Sequence, residues 1–203
     1  MRSTLPAGFR RAAHYFRARY LDDFVFIHIN KTAGSSIERA LRLPFQHRTA
    51  LEWRAVLGHE AWERRFSFAI VRNPWDKVAS HYYYRIKTNQ TGLGTDPLDF
   101  STWVGLAYGQ QDPRFYDKPK MFMPQADWIS DQSGRRMVEF VGRFERLQED
   151  FDTICRRIGI EAELPHEKAS ANRDYRRAYT PEAAEVVARH FARDIKDFGY
   201  TFG

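Results

Sequence analysis

Two short apolar runs, each followed at once by a polar turn and the start of a helix, constrain the fold of this chain more than any other feature. The first lies in FVFIHINKTAGSSIERAL, where 24–29 has the character of a buried strand and 35–41 that of a helix. The second lies in FSFAIVRNPWDKVASHYYYRIK, with a strand-like run at 66–71 and a helix from Pro74 to about Lys87. Strands that alternate with helices are typical of an α/β fold with a mostly parallel sheet.

The rest of the chain continues this alternation. We expect a strand near 137–141, a helix from Arg146 to Ile158, and a last helix from Thr180 onward, whose apolar stripe includes Val187, Phe191 and Ile195. The sequence therefore predicts a P-loop-like, three-layer α/β fold, in which helices flank a central, mostly parallel sheet. At 203 residues, we expect one domain over 1–203 with an excursion at about 88–130.

The first turn is a candidate anion site. A strand–loop–helix junction directs the free N–H groups of the first helical turn, and the positive end of the helix dipole, at one point. Lys31, just before the helix, adds a cation to that positive end. A bound anion would offset the repulsion between this cation and the positive end of the dipole. The alternative is that Lys31 points into water. The loop is not a Walker motif, because Lys31 precedes Gly34 rather than following a second glycine.

Arg72 supplies a second candidate anion site. It follows the second strand, at the edge where open α/β sheets bind their ligands, and Ser80 lies two helical turns further along. The plain alternatives are an ion pair between Arg72 and Asp76 and an ordinary surface position for Ser80. One ligand with two separated anionic groups would explain both sites together.

The composition favours anionic partners and a reducing compartment. The formal net charge is +6 and the pI is about 9.5, although a solvated basic surface accounts for most of that charge. Cys155 is the single cysteine and cannot form an internal disulfide. No apolar stretch is long enough to span a bilayer, so we expect a cytoplasmic protein. Residues 9–20 could form a basic amphipathic helix that contacts a membrane, or a plain surface helix.

The two strand–turn–helix segments also resemble a known family. HINKTAGSSI followed by FAIVRNPWDKVASHYYY is similar to the cytosolic and Golgi sulfotransferases, in the branch of carbohydrate 2-O-sulfotransferases and their bacterial relatives. The similarity continues through 123–129, 140–151, 164–170 and 194–202, and so covers nearly the whole chain. It implies 3′-phosphoadenosine 5′-phosphosulfate as sulfuryl donor, adenosine 3′,5′-bisphosphate as product, and a hydroxyl on a carbohydrate or similar acceptor.

The resemblance assigns roles to residues of both segments. It places Arg72 and Ser80 at the 3′-phosphate of the donor, and a basic loop with Lys168, Ser170 and Arg173 over the nucleotide, unless that loop is a solvated charge run. The loop around the 5′-phosphosulfate would comprise six consecutive residues: Lys31, Thr32, Ala33, Gly34, Ser35 and Ser36.

Two further positions bear on the donor site. Asn30 departs from the family pattern, which usually has proline, but asparagine also suits a turn and adds a hydrogen bond. Arg143, at the end of the third strand, is another candidate ligand of the donor, with pairing to Glu145 or Asp150 as the alternative.

Sulfuryl transfer needs positioned charge and a base. The sulfuryl group carries less charge than a phosphoryl group, and the scattered histidines and single cysteine provide no metal-ligand spacing, so we expect no metal. A histidine is the usual base for an acceptor hydroxyl. Among His28, His47, His59 and His81, we predict His47, because a histidine in this segment is the base of similar uronyl 2-O-sulfotransferases. The alternative for His47 is a contact with the helix that follows.

The acceptor site is expected in the 88–130 region, where turn residues alternate with aromatic residues. Trp103, Tyr108, Phe115 and Tyr116 are the candidates, and a plain packed excursion is the alternative.

Two other functions fit part of the pattern. A P-loop-like kinase would need Mg²⁺ and a Walker-type lysine. A nucleic-acid-binding protein would fit the charge and the 15% aromatic content, but we expect no nucleic-acid partner.

Overall fold

The computed structural model describes residues 22–165 and 174–203, and these residues contain a parallel sheet of three strands. Strand β1 is Phe24–Ile27, β2 is Phe66–Val71 and β3 is Phe140–Arg143, in the spatial order β1-β2-β3. In this register Phe26 is opposite Phe68, which is in turn opposite Phe140. The predicted α/β fold with a parallel sheet is confirmed.

Helices cover the sheet and build the region beyond it. The described residues contain ten α-helices, given below, together with a few shorter helical turns. These are a π-helical turn at Gly105–Gln110 and 3₁₀ turns at Gln90–Gly92, Phe144–Arg146 and Tyr175–Ala178. The α-helices are α1 Gly34–Ala40, α2 Ala50–Leu57, α3 His59–Glu63, α4 Pro74–Lys87, α5 Phe100–Val104, α6 Pro119–Phe122, α7 Gln125–Trp128, α8 Leu147–Ile158, α9 Pro181–His190 and α10 Ala192–Phe198.

Alternating side chains on the strands divide the core into two layers. Val25 and Ile27 of β1 pack on one face with the buried Trp53 of α2. Phe24 and Phe26 pack on the other face, in a cluster that also contains residues of α1 and α8. Strands β1 and β2 are therefore buried on both sides, which explains why they read as nearly continuous apolar runs.

The 88–130 region packs against α4 and α9 in a third apolar cluster. Trp103 and Tyr108 are buried at its centre, with Phe122 and Val187 beside them. The expectation that Trp103 and Tyr108 line an acceptor surface is therefore wrong, and the alternative of a packed excursion holds for these two residues. Phe115 and Tyr116 are partly buried at the edge of the same cluster.

Three predicted elements differ in their limits. Strand β1 ends at Ile27 rather than at 29, and the Ile29 N–H donates to the Ile27 carbonyl in a turn. Strand β3 begins three residues later than expected because the N–H of Met137 donates to the carbonyl of Ile129, 2.8 Å away, instead of joining the sheet. The last helix divides at Phe191, whose backbone leaves the helical region (φ −105°, ψ 25°) and whose ring is fully buried. Burial of this ring overrides the helical pattern there. Over the described residues, no helix has the length and apolar character needed to cross a bilayer.

The carboxyl ends of the three strands meet at one edge of the sheet. β1 leads into the loop before α1, β2 leads into Arg72 and α4, and β3 ends at Arg143. Asn73 joins two of these ends: its side chain accepts a hydrogen bond from the Trp75 N–H as the cap of α4, and its own N–H donates to Glu145. This edge carries the candidate site.

Candidate functional site

The loop between β1 and α1 has an unusual backbone. Lys31 and Ala33 both adopt left-handed conformations, with φ of 66° and 64°, although neither is glycine. Thr32 is fully buried between them, and its hydroxyl donates to the carbonyl of Ile29, 2.9 Å away. The N–H groups of Gly34 and Ser35 precede the first intrahelical donors of α1 and have no acceptor within it. The turn thus presents backbone donors beside Lys31.

Gly34 is required by a close contact with His28. A Cβ atom at position 34 would lie 1.9 Å from Cδ2 of the His28 ring, which is far inside contact distance. The ring cannot move aside easily, because its Nδ1 lies 2.8 Å from Oε1 of the buried Glu38. The start of α1 therefore lies directly against His28, the residue that follows β1.

Asn30 fixes the entry of the loop. Its side-chain amide donates to the carbonyl of Met121, 2.8 Å away, and the residue is buried. The departure from proline is thus compensated by a hydrogen bond, as expected. This contact ties the loop to α6 and the 88–130 region.

Lys31 lies over an aromatic ring rather than pointing freely into water. Its Nζ atom is 4.0 Å from the centroid of the Tyr84 ring. Burial, followed by the nearby charges of Arg72 and Lys87, lowers the pKa of Lys31 from 10.5 to about 8. The ammonium is thus held close to other cations, in a position that favours an anion.

Arg72 contacts both helix α4, which follows it, and the loop before α1. Its Nε donates to Oδ2 of Asp76, 2.8 Å away, so the ion pair considered as an alternative is present. Its Nη1 also donates to the carbonyl of Lys31, 3.2 Å away, and the guanidinium lies 3.9 Å from the Phe144 ring centroid. The structure therefore brings Arg72 and Lys31, 41 residues apart in sequence, to one place.

Ser80 lies on the flank of α4 that faces this place. It is half-buried, one turn after Asp76 and one turn before Tyr84. Since those two side chains contact Arg72 and Lys31 respectively, position 80 lies between these two contacts along the helix.

Lys77 is a third cation near the site, and sequence reasoning missed it. The side chain is fully buried, and its Nζ has no hydrogen-bond partner among the described residues. Burial lowers the pKa of Lys77 from 10.5 to about 8, and the nearby carboxylate of Asp194 opposes that shift. A lysine early in a helix is usually a surface residue, so no pattern in the sequence marks it.

His47 is held in one tautomer. Its Nδ1 lies 2.9 Å from the carbonyl oxygen of His28 and must carry the hydrogen, because a carbonyl only accepts. Nε2 of the neutral ring therefore carries the lone pair that can accept a proton. Burial lowers the pKa of His47 below 6.5, so the ring is neutral at physiological pH. The two histidine rings are 4.2 Å apart, which puts His47 next to the ring that covers Gly34.

The other three candidate histidines are less suited to act as a base. His28 is buried and bonded to Glu38, as expected of a core histidine. His59 is largely exposed on α3 and lies 3.6 Å from Glu63. His81 is buried at 2.9 Å from the Tyr108 hydroxyl, and burial holds its pKa well below 6.5.

Of the remaining predicted residues, Arg143 contacts groups outside this cluster, and the others lie outside the described residues. The guanidinium of Arg143 donates to the carbonyl of Phe198 and lies 5.0 Å from the Tyr200 ring, so it is directed at the C-terminal segment. Its backbone N–H donates to Asp150, one of the two partners considered. Lys168, Ser170 and Arg173, and the N-terminal segment 9–20, lie outside the described residues.

Phe45 is an exposed aromatic residue beside the rings of His28 and His47. Its side chain is 66% exposed, and its ring is 4.8 Å from that of His47 and 5.3 Å from that of His28. The sequence gives no signal for it, because the segment between α1 and α2 has no regular periodicity. No group of three or more potential metal ligands occurs within residues 22–165 and 174–203.

Comparison with known proteins supplies a family match. The model of the Sulfotransferase family matches residues 14–201. An uncharacterized protein of Archaeoglobus fulgidus is 27% identical over 109 residues, which cover 53% of this chain and 79% of that protein. No solved structure gives a significant match.

Proposed function

This chain belongs to the sulfotransferase family, and we propose that it moves the sulfuryl group of 3′-phosphoadenosine 5′-phosphosulfate to a hydroxyl of a carbohydrate or similar acceptor. As a family member it is an enzyme that transfers a sulfuryl group from a donor to an acceptor hydroxyl. The identities of the donor and the acceptor are our proposal.

One observation carries the choice of donor: Lys31 and Arg72, from two separate strand ends, lie together at the carboxyl edge of the sheet. Their charges repel each other, and among the described residues Asp76 is the one carboxylate that forms an ion pair with either of them. A ligand with phosphate or sulfate groups would relieve the repulsion. The Ser80 hydroxyl, on the same flank of α4, adds a neutral donor for a second anionic group.

The proposed chemistry divides the work between two residues. His47 Nε2 takes the proton of the acceptor hydroxyl while a new bond forms between the acceptor oxygen and sulfur. The bond from sulfur to the phosphate oxygen breaks, and adenosine 3′,5′-bisphosphate leaves. Lys31, aided by the N–H groups of Gly34 and Ser35 in the predicted loop over 31–36, stabilises the charge that grows on the departing oxygen.

The finer assignments are proposals as well. We propose one domain over 1–203 with acceptor recognition at about 88–130, no metal, no nucleic-acid partner, and a cytoplasmic location. We keep Arg143 and the loop with Lys168, Ser170 and Arg173 as proposed ligands of the donor, and the basic N-terminal segment as a proposed membrane contact.

A ligand panel tests the donor directly. We expect adenosine 3′,5′-bisphosphate to raise the melting temperature of the protein, while ATP with Mg²⁺ and a DNA oligonucleotide have much smaller effects. A shift with ATP alone would favour a kinase. Strongly salt-dependent binding of the oligonucleotide would favour a nucleic-acid-binding protein.

Arg72→Ala is expected to weaken binding of the 3′-phosphorylated nucleotide selectively, and Ser80→Ala to do so more mildly. A hydrogen bond to a charged group is worth about 1.5–3 kcal/mol, or about 10- to 100-fold in affinity. Calorimetry with adenosine 3′,5′-bisphosphate and with adenosine 5′-phosphate measures the difference. Arg135→Ala, which removes an exposed arginine paired with Asp131, is the control. Equal losses for the two nucleotides would contradict the assignment.

The pH profile of kcat/KM is expected to be bell-shaped. The depressed pKa of His47 places the acidic limb below about 6.5, because activity is lost as the ring becomes protonated. The pKa of Lys31, about 8, places the alkaline limb near that pH, because the ammonium loses its proton above it. Initial rates from pH 5 to 10 check both limbs. A flat profile above pH 7 would argue against a role for the Lys31 ammonium.

A further inference from the structure

The backbone of Arg72 is held by a buried side chain rather than by a neighbouring strand. The pairing of β2 with β3 ends at Val71, so the next peptide unit lies beyond the ladder. There the Gln125 side chain replaces a strand: its Oε1 accepts from the Arg72 N–H at 2.9 Å, and its Nε2 donates to the Arg72 carbonyl at 2.8 Å. Gln125 is fully buried on α7.

Asp194 of α10 fixes this glutamine in turn. Its carboxylate accepts the N–H groups of Gln125 and Ala126, each at 2.8 Å, and also the Gln125 side-chain amide at 3.1 Å. Asp194 is fully buried, and the ammonium of Lys77 is the nearby opposite charge. Since the carboxylate accepts from Nε2, the amide orientation of Gln125 is defined, and its oxygen must face the Arg72 N–H.

We propose that Gln125 and Asp194 are positioning residues that aim the Arg72 guanidinium at the 3′-phosphate of the donor. This inference rests on the proposed function. The guanidinium is tied to Asp76 and to the Lys31 carbonyl, so a shift of the Arg72 backbone would move it relative to the loop. Displacements of about 1 Å are enough to weaken the recognition of a ligand by a preorganised site.

Two variants change this network with little change in volume. Gln125→Glu keeps an acceptor for the Arg72 N–H but removes the donor to its carbonyl and adds a negative charge beside Asp194. Asp194→Asn removes the charge and turns an amide group toward N–H donors. The matched control is Val187→Ala, a substitution at a buried position of α9. It destabilises the protein but leaves the hydrogen bonds of Gln125 and Asp194 in place.

The readout is the ratio of the Kd for adenosine 5′-phosphate to the Kd for adenosine 3′,5′-bisphosphate, measured by calorimetry at a temperature where each variant is folded. We expect the ratio to fall about tenfold or more in both network variants, as for the loss of an aimed hydrogen bond to a charged group, and to stay unchanged in Val187→Ala. An unchanged ratio in folded network variants overturns the inference and leaves the proposed function intact. A ratio near one in the unmodified protein overturns both.

A measurement on the unmodified protein covers the case in which the variants do not fold. The side-chain amide resonances of Gln125, followed by NMR, are expected to shift when adenosine 3′,5′-bisphosphate is added and to stay in place with adenosine 5′-phosphate. Equal responses to the two nucleotides would show that Gln125 does not sense the 3′-phosphate, and would overturn the inference.

Discussion

Replacing Lys31 by alanine is expected to abolish sulfuryl transfer while nucleotide binding remains measurable. Lys31 lies in the loop that leads into α1, with its ammonium over the Tyr84 ring, and its main effect should come as the bond from sulfur to the leaving oxygen breaks. Removal of one such preorganised charge typically lowers kcat by about 10²- to 10³-fold. Rates of product formation, with calorimetry using adenosine 3′,5′-bisphosphate, measure the two effects separately.

Lys87→Ala is the matched control for Lys31. Lys87 is exposed at the end of α4 and contributes to the field that lowers the pKa of Lys31. Its removal should change activity only slightly and move the alkaline limb of the pH profile to higher pH. Near-normal turnover in Lys31→Ala would refute the catalytic role of the loop lysine.

Replacing His47 by alanine is expected to lower turnover by about 100-fold or more, with nearly unchanged nucleotide affinity. The reason is the loss of Nε2, which carries the lone pair because Nδ1 donates to the His28 carbonyl. His47→Gln tests the same point with a side chain that can still donate to that carbonyl, and it should be about as inactive. Steady-state rates with an acceptor, together with calorimetry, check this prediction.

His59→Ala is the control for His47, because His59 is exposed and paired only with Glu63 of its own helix in the described structure. It should retain full activity. If His47→Ala were instead fully active, the base would have to be another group, such as His59 or a carboxylate.

The sequence predicted those parts of the fold that depend on local patterns. The two strand–turn–helix segments have unbroken apolar strands, a cap at Asn73 and a proline at the first helical position, and these features act within a few residues. The meeting of Lys31 with Arg72 followed from topology, because parallel strands place their carboxyl ends at one edge. These inferences needed no knowledge of side-chain packing.

Features that depend on distant contacts were not predicted. The division of the last helix at Phe191 results from burial of one ring. The hydrogen bonds between the Gln125 side chain and the Arg72 backbone join residues 53 positions apart. Burial of Lys77 likewise depends on helices that follow it by more than 100 residues, since its ammonium lies 5.2 Å from the Phe191 ring. Periodicity reports which face of a helix is apolar, but not which polar group another element will meet there.

The left-handed backbone at Lys31 and Ala33 sets stability and catalysis against each other in any directed evolution of this enzyme. A left-handed conformation costs about 1–2 kcal/mol for a residue with a Cβ atom, and glycine avoids that cost. Selection for heat resistance alone should therefore enrich Ala33→Gly. A glycine also gives the loop more conformational freedom when no ligand is bound, and this freedom would work against a fixed arrangement of the loop N–H donors. A library screened only for thermal survival would accumulate variants with higher thermal stability and lower turnover.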